Sequence, residues 1–196
     1  MRRANKDIKE KIKKEAAEIF FEVGYINASM RDIATKSEIA VGSIYRYYET
    51  KQILFEDIVG KTYSKITKLI KLTEFVQKFM KTKQFGVNEK NVYKNSKFQH
   101  KLLEYIVRTF SENGKELYIL LERSEGSDYA DIRQRFMKLI QETMSKLVAN
   151  LTSHQAEIYS YVVVSTIVYM IRINKDNEKQ LNDDILVFLE KIFASV

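Results

Sequence analysis

Cysteine, proline and tryptophan are absent from the 196 residues, histidine occurs twice and glycine six times. Without cysteine there is no disulfide framework, no thiolate nucleophile and no cysteine-ligated zinc, and an intracellular setting is the natural expectation. Without proline, and with so few glycines, the chain has few strong interruptions, which favours long helices over many short strands. His100 and His154 are too few and too isolated to suggest a metal site or acid–base catalysis, and no cofactor is expected. The chain has neither a glycine-rich phosphate loop nor a serine nucleophile elbow. Asp183 and Asp184 sit where a helix start favours negative charge, which explains the pair without general acid–base work. A non-enzyme is expected.

The first ten residues are charged and lack the apolar run of a secretory signal. Residues 158–171 are free of charge but fall short of the ~20 residues that span a bilayer. That stretch reads as a buried helix, and the expected location is the cytoplasm with no membrane partner.

What the chain does contain is bulk: 45% hydrophobic residues, 12 Tyr and 11 Phe, beside 30% charged residues. Such a composition folds around a sizeable core without staples. The net charge of +7 suggests an acidic partner, yet residues 1–50 carry only +2 while residues 51–100 carry +7. Much of the excess is Lys61, Lys65, Lys68 and Lys71, whose helical spacing suits a solvated face as well as a DNA footprint. Charge alone therefore does not establish DNA binding.

Ile8, Ile12, Ala16, Ile19 and Val23 trace one apolar stripe at steps of three and four, predicting a helix from near Asp7 that stops at Gly24. Ser29 and Asp32 fit a capping box and open a second, short helix ending near Lys36 or Ser37. Glu38, Ile39 and Ala40 then link to a third helix over residues 41–48, and Thr50 caps a fourth whose buried side is Ile53, Leu54, Ile58, Ile66, Leu69 and Ile70. Phe75, Phe79 and Met80 suggest a further short helix, and residues 86–91 a loop. Asn95 or Ser96 opens a stretch with Phe98, Leu102, Tyr105, Ile106 and Phe110 inward. A short segment over residues 116–123 is apolar on one side. Another stripe follows in Tyr129, Ile132, Phe136, Leu139, Ile140, Met144 and Leu147. Thr152 with Gln155 makes a second capping box, and Asn182 opens the last helix after a polar loop at residues 174–180. The expectation is an all-α protein of about nine helices.

A short helix, a tight turn and a second short helix under an amphipathic first helix is the architecture that presents one helix to the DNA major groove. At 100° per residue, Val41, Ile44, Tyr45 and Tyr48 fall on one side of residues 41–48 and Gly42, Ser43, Arg46 and Tyr47 on the other. The second set forms a reading surface. Arg46 suits a bidentate contact to guanine, Ser43 a base or a phosphate, and Tyr47 a phosphate, while Gly42 lets backbone come close.

Residues 16–59, AAEIFFEVGYINASMRDIATKSEIAVGSIYRYYETKQILFEDIV, resemble the DNA-binding head of the TetR family, above all in SMRDIA at 29–34 and GSIYRYYETK at 42–51. The resemblance implies that Ser43 and Tyr47 touch DNA, that Tyr45 contacts its backbone and that Lys51 neutralises a phosphate. Arg31, at the start of the second helix, is expected to be a further phosphate contact. It also implies a helix-turn-helix head at residues 1–50 and a helical dimerisation and ligand-binding body at 51–196. The apolar circumference of residues 159–171, with Ile185, Leu186, Phe188, Leu189, Ile192 and Phe193, suits pairing with a second copy. The expected partners are a palindromic double-stranded operator, a homodimer mate and a partly apolar small-molecule effector that releases a repressor.

Two departures stand out. Glu38 occupies a turn position the family often fills with Gly, and Ala40, unable to cap with its side chain, stands where Ser is common. Val41, where relatives carry polar or basic residues, either touches a thymine methyl or packs inward. The competing expectation is a ligand-binding or interaction protein that keeps the fold without specific DNA recognition. Phe75, Phe79, Phe98, Tyr105, Phe110, Tyr118, Tyr129, Phe136 and Tyr169 could line a pocket, though aromatics at helical spacing are more often core. Arg2, Arg3 and Lys6 form either a DNA-reaching arm or a hydrated terminus.

Overall fold

The computed structural model describes residues 2–81, 108, 111–147 and 151–194. Among these the chain is all-α, in the order α1 (Arg2–Asn27), α2 (Met30–Lys36), α3 (Val41–Ile44), α4 (Lys51–Lys81), α5 (Gly114–Glu122), α6 (Ile132–Leu147), α7 (Ser153–Ile173) and α8 (Glu178–Ala194). Phe75, Phe79 and Met80 are not a separate helix but belong to α4, which has no proline or loop glycine to stop it. The expected loop at 86–91 and the stretch opened by Asn95 or Ser96, with Phe98, His100, Leu102, Tyr105, Ile106 and Phe110, lie outside the described residues.

Two compact units result. The first joins Met1–Ser64 to Lys115–Arg133. Its α1 buries Ile12, Ala16, Phe20 and Phe21, whereas Val23, the expected end of the stripe, is exposed in the last turn before the break. That break is Gly24, at φ 80 and ψ 169, a backbone region open in practice to glycine alone. The turn it makes aims the Tyr25 N–H at the Arg123 carbonyl, 2.8 Å away. On α4, Leu54, Phe55 and Val59 are buried while Ile53, expected inward, is exposed.

Aromatic rings hold the unit together. Phe55 meets Phe20 edge-on at 4.9 Å and Tyr25 at 5.0 Å, and Tyr129 spans from Phe55 to Tyr63. Tyr118 lies 4.3 Å from Phe21. The helix α5 is buried through Leu117, Tyr118, Ile119, Leu120 and Leu121 in succession, so it is enclosed on every side and not only one. Lys115 pairs with Glu18 at one of its ends and Arg133 with Glu122 at the other. Tyr129 precedes α6, which starts at Ile132.

The second unit comprises Lys65–Gly114 and Gln134–Val196. Thr152 and Gln155 form the expected capping box, with amide-to-side-chain bonds of 3.2 and 2.9 Å. From α7, Val163, Val164, Ile167 and Ile171 join Leu181, Ile185 and Leu189 of α8 in the core. A Cβ on Gly114 would lie 2.9 Å from Leu181 Cδ2, so this glycine permits a close approach. The last helix begins at Glu178, earlier than Asn182, because the Asn177 side chain accepts the Gln180 N–H at 3.1 Å. Asp184 consequently lies inside the helix, accepting from Gln180 and Asn174. The opposite face of α7 exposes Ile158, Tyr159, Val162 and Ile173, with Tyr161 and Tyr169 at 60% and 61%. By length and composition α7 is apolar enough to cross a membrane.

Replacing Gly24 by Ala puts a Cβ into that glycine-only conformation and should cost about 1–3 kcal/mol. Urea unfolding measures it, and an unchanged midpoint would show that the α1 break does not need this backbone.

Candidate nucleic-acid interface

The expected reading segment is built from its cap onward. Ser29 Oγ accepts the Asp32 N–H at 3.1 Å and opens α2. The Asp32 carboxylate takes the Ser29 hydroxyl proton at 2.5 Å, where the capping-box expectation aimed it at the Ser29 amide. Met30, Ile33 and Ala34 are buried. The helix closes with the Glu38 N–H on the Thr35 carbonyl and the Ile39 N–H on the Ala34 carbonyl, both 3.0 Å. Those two bonds are the Schellman pattern, whose C′ residue adopts the left-handed conformation and is usually glycine. Here it is Glu38, at φ 57. The Glu38 side chain compensates by pairing with Lys11 of α1, and the hydrogen bond and charge of that ammonium hold the carboxyl below its ordinary range.

Ala40 then precedes α3 in an extended conformation with no side-chain cap. The helix expected over 41–48 is a single α turn, Val41–Ile44, followed by tighter three-residue turns: Arg46 N–H to Ser43 O at 3.2 Å and Tyr47 N–H to Ile44 O at 3.0 Å. The inward pair is Ile44 and Tyr48, both buried, and the Tyr48 N–H also reaches the Ile44 carbonyl at 3.0 Å, the four-residue spacing of an α-helix. Val41 and Tyr45, which the α-helical wheel turns inward, are 40% and 51% exposed. Gly42 and Arg46 are exposed as expected, and Ser43 and Tyr47 are half-buried. A Cβ built on Gly42 would meet no atom within 4 Å.

What fixes this segment is a set of groups that local sequence did not reveal. The Tyr48 hydroxyl donates to Asp57 Oδ2 at 2.6 Å. Asp57 Oδ1 accepts from Lys13 at 3.2 Å, and Lys9 lies 3.5 Å from Oδ2. Burial pushes the Asp57 carboxyl up, but the Tyr48 and Lys13 hydrogen bonds and the two lysine charges outweigh it, leaving the carboxyl below its usual range. Burial, and then Asp57, push the Tyr48 phenol well up. The Tyr47 hydroxyl donates to Asn5 at 3.1 Å. Lys9 and Lys13 share a face of α1, but nothing in their spacing names Asp57 as the partner.

Lys51 faces inward at its tip. Its ammonium donates to the carbonyls of Tyr25 at 2.6 Å and Ala28 at 2.8 Å, with Ile26 at 3.4 Å, and lies 4.4 Å over the Tyr25 ring. Desolvation lowers its pKa. Thr50 caps α4 through the Ile53 N–H at 3.1 Å. Arg31 and Arg46 are exposed, and among the described residues neither has an acidic partner. Lys6 is exposed too, while the side chains of Arg2 and Arg3 lie outside the described residues. No group of three or more His, Cys, Asp or Glu side chains suited to a metal occurs among the described residues.

Residues 12–58 match the family model described as bacterial regulatory proteins, tetR family. No protein of curated function matches the chain in sequence. Solved structures align with this chain over nearly its whole length, and the two with TM-scores above 0.5 share its fold. One, from Clostridium perfringens and designated a fatty acid metabolism regulator, is 13% identical with a TM-score of 0.53, covering 95% of this chain and 98% of its own. A TetR-like transcriptional regulator from Rhodococcus sp. RHA1 is 15% identical with a TM-score of 0.52, covering 96% and 97%. A transcriptional regulator from Aquifex aeolicus VF5 is 22% identical with a TM-score of 0.46, covering 95% and 99%.

Two stability predictions follow from the geometry. Glu38→Gly relieves the left-handed strain and Glu38→Ala keeps it while losing the Lys11 pair, so the glycine variant should be the more stable by about 1 kcal/mol; equal melting temperatures would remove the strain. Tyr48→Phe should lower stability at neutral pH by about 1–2 kcal/mol in urea titrations. The depressed Asp57 carboxyl stabilises the fold above the ordinary carboxylate range, and that contribution is lost as the pH falls below about 4. The raised Tyr48 phenol acts oppositely, stabilising below about pH 10 and losing its contribution above. Asp57→Asn should flatten the acid limb, and a wild-type acid limb in that variant would refute the anchor.

Proposed function

We propose that the chain is a DNA-binding transcriptional regulator of the tetR family, whose model residues 12–58 match, rather than an enzyme, and that it is a cytoplasmic, sequence-specific repressor that a small molecule releases from a palindromic operator. The observation that carries the DNA half is the surface around α3. Arg46 and Tyr45 project outward beside an unobstructed Gly42, from a turn pinned by Tyr48 and Asp57.

On this reading residues 1–50 are the reading head. Arg46 makes the bidentate contact to guanine O6 and N7, and Ser43 bonds a base edge or a phosphate. Tyr45 and Arg31 meet phosphates, and Tyr47 reaches one by exchanging its bond to Asn5. Lys51, its donors held by carbonyls, acts through its charge at the start of α4.

Residues 51–196 are the dimerisation and ligand-binding body. The exposed apolar face of α7, continued by Val187 of α8, buries itself against a second copy, which accounts for its apolar surplus without a membrane. Two-fold symmetry then places two heads about 34–36 Å apart, one turn of DNA, and a palindromic site follows. A partly apolar effector that binds one head spacing better than the other shifts the population through α4, the helix that follows directly on the head.

Selection from a random duplex pool by the purified protein should enrich a palindrome. Arg46→Ala should then weaken its retention at least tenfold, roughly 1–3 kcal/mol for a lost bidentate contact, with the dimer unchanged in size-exclusion chromatography. A pool that stays random, or an Arg46→Ala protein that binds like wild type, would sink the assignment.

A further inference from the structure

We propose that Val41 determines specificity, packing its two methyls on the C5-methyl of a thymine in each operator half-site. The inference rests on the DNA-binding reading above and adds the chemical identity of one recognised base.

Three observations on the first turn of α3 point the same way. Val41 is 40% exposed although the α-helical pattern turns it toward the core, and Tyr45, four residues on, is exposed beside it. A valine left 40% exposed at the start of α3 keeps a substantial apolar surface open to an approaching partner. Gly42 adds clearance, since a Cβ there would meet nothing within 4 Å. No internal contact requires a glycine at that position, and its lack of bulk leaves room for a flat surface to approach Val41 closely. Ala40, on the other side, is exposed and supplies no side-chain hydrogen bond, not even to cap the helix. Residues 40–42 therefore form a patch with no polar side-chain atom at the entry of a surface otherwise made of Ser43, Tyr45, Arg46 and Tyr47.

The chemistry of the major groove limits what such a patch can accept. Guanine and adenine present hydrogen-bonding edges there and cytosine an amino group beside a bare C5–H, and covering those polar atoms with methyl groups leaves them desolvated and unpaired. Phosphates are excluded for the same reason. Thymine alone presents an apolar group, its C5-methyl. The patch thus selects thymine by burying that methyl and rejects the other bases by leaving their polar edges unsatisfied.

The test uses the full-length protein and the duplex enriched from a random pool. Each thymine of the half-site is replaced in turn by 2′-deoxyuridine, which pairs identically and lacks only the methyl. One position should weaken wild-type binding about fourfold, and about fifteenfold when both half-sites are changed, the loss expected for one buried carbon per half-site. In Val41→Ser and Val41→Gln that penalty should fall below twofold, with melting temperatures confirming that both variants fold. If uracil at every thymine position costs wild type less than twofold, or if Val41→Ser retains the full penalty, the Val41 assignment is overturned. Should the same duplex still depend on Arg46, the DNA-binding reading survives that result. A pool from which no duplex is enriched overturns both.

Discussion

A helix of one turn cannot hold its own shape, because nucleation orders several residues for a single hydrogen bond. The four residues of α3 are therefore placed by what grips the chain just beyond them, and that grip is the Tyr48 hydroxyl on Asp57. Asp57 in turn is held by Lys13 and Lys9. Three segments meet at one carboxylate: α1, the turn after α3, and the second turn of α4. Tyr48 and Ile44 also fill the core beneath, so apolar burial sets the depth of the turn while the hydroxyl sets its rotation. Every outward side chain from Val41 to Tyr47 inherits its direction from that arrangement. Because hydrogen bonds to a charged, partly buried carboxylate are stronger than neutral ones, a single group suffices where a longer helix would rely on its own backbone.

The opposite end of α1 is held by a second clamp of different chemistry. Gly24 turns the chain out of the helix, and the carbonyls so exposed at Tyr25, Ile26 and Ala28 converge on the ammonium of Lys51. Arg123 closes the other side, donating through Nε to the Phe21 carbonyl at 3.2 Å and accepting the Tyr25 N–H. Gly126, at φ 80, brings its backbone against Ile26, where a Cβ would lie 2.8 Å from Cγ1. Residues 115–133 thus share a compact unit with the first 64 residues despite their distance in sequence. A surface confined to the first fifty residues is held in shape by rings from Phe55, Tyr63, Tyr118 and Tyr129.

The parts legible in the sequence are those set by short-range patterns. Ser29, Thr50 and Thr152 announce their helices because a hydroxyl must lie three residues from the amide it caps. Ile12, Ala16, Ile33, Ile44 and Tyr48 are buried as their spacing demands. The illegible parts are those where a local pattern leaves the choice open or where partners lie far apart. Val41 and Tyr45 lie on the flank of the four-residue stripe away from Ile44, and a helical wheel does not show which flank the core covers. Asn177 starts α8 ahead of the acidic pair because an asparagine cap competes with helix-dipole charge and is met first. Lys51 reads as a basic residue at a helix start, and nothing local shows that carbonyls of residues 25–28 surround it. The lone glutamate at the α2–α3 turn, by contrast, is legible as a misfit, and its left-handed φ gives the reason glycine is common there.

Charge in the first unit does structural work before it can do anything else. Lys9 and Lys13 converge on Asp57, Lys11 on Glu38, Lys36 lies 3.6 Å from Glu15 and Lys115 pairs with Glu18. These pairs join separate segments, while the net charge of +2 over the first fifty residues is the balance of ten basic against eight acidic side chains. Arg31 and Arg46 stand apart from this network. A duplex approaching such a surface would meet few uncompensated cations, so counterion release would contribute modestly to binding and non-specific adhesion would be correspondingly weak. On the proposed reading, discrimination would then depend on the fit of a few side chains to base edges, which tolerates little displacement. That requirement returns to the Asp57 carboxylate: a weakly charged reading surface is useful only if it is rigid, and rigidity at a one-turn helix has to be imported from α1 and α4.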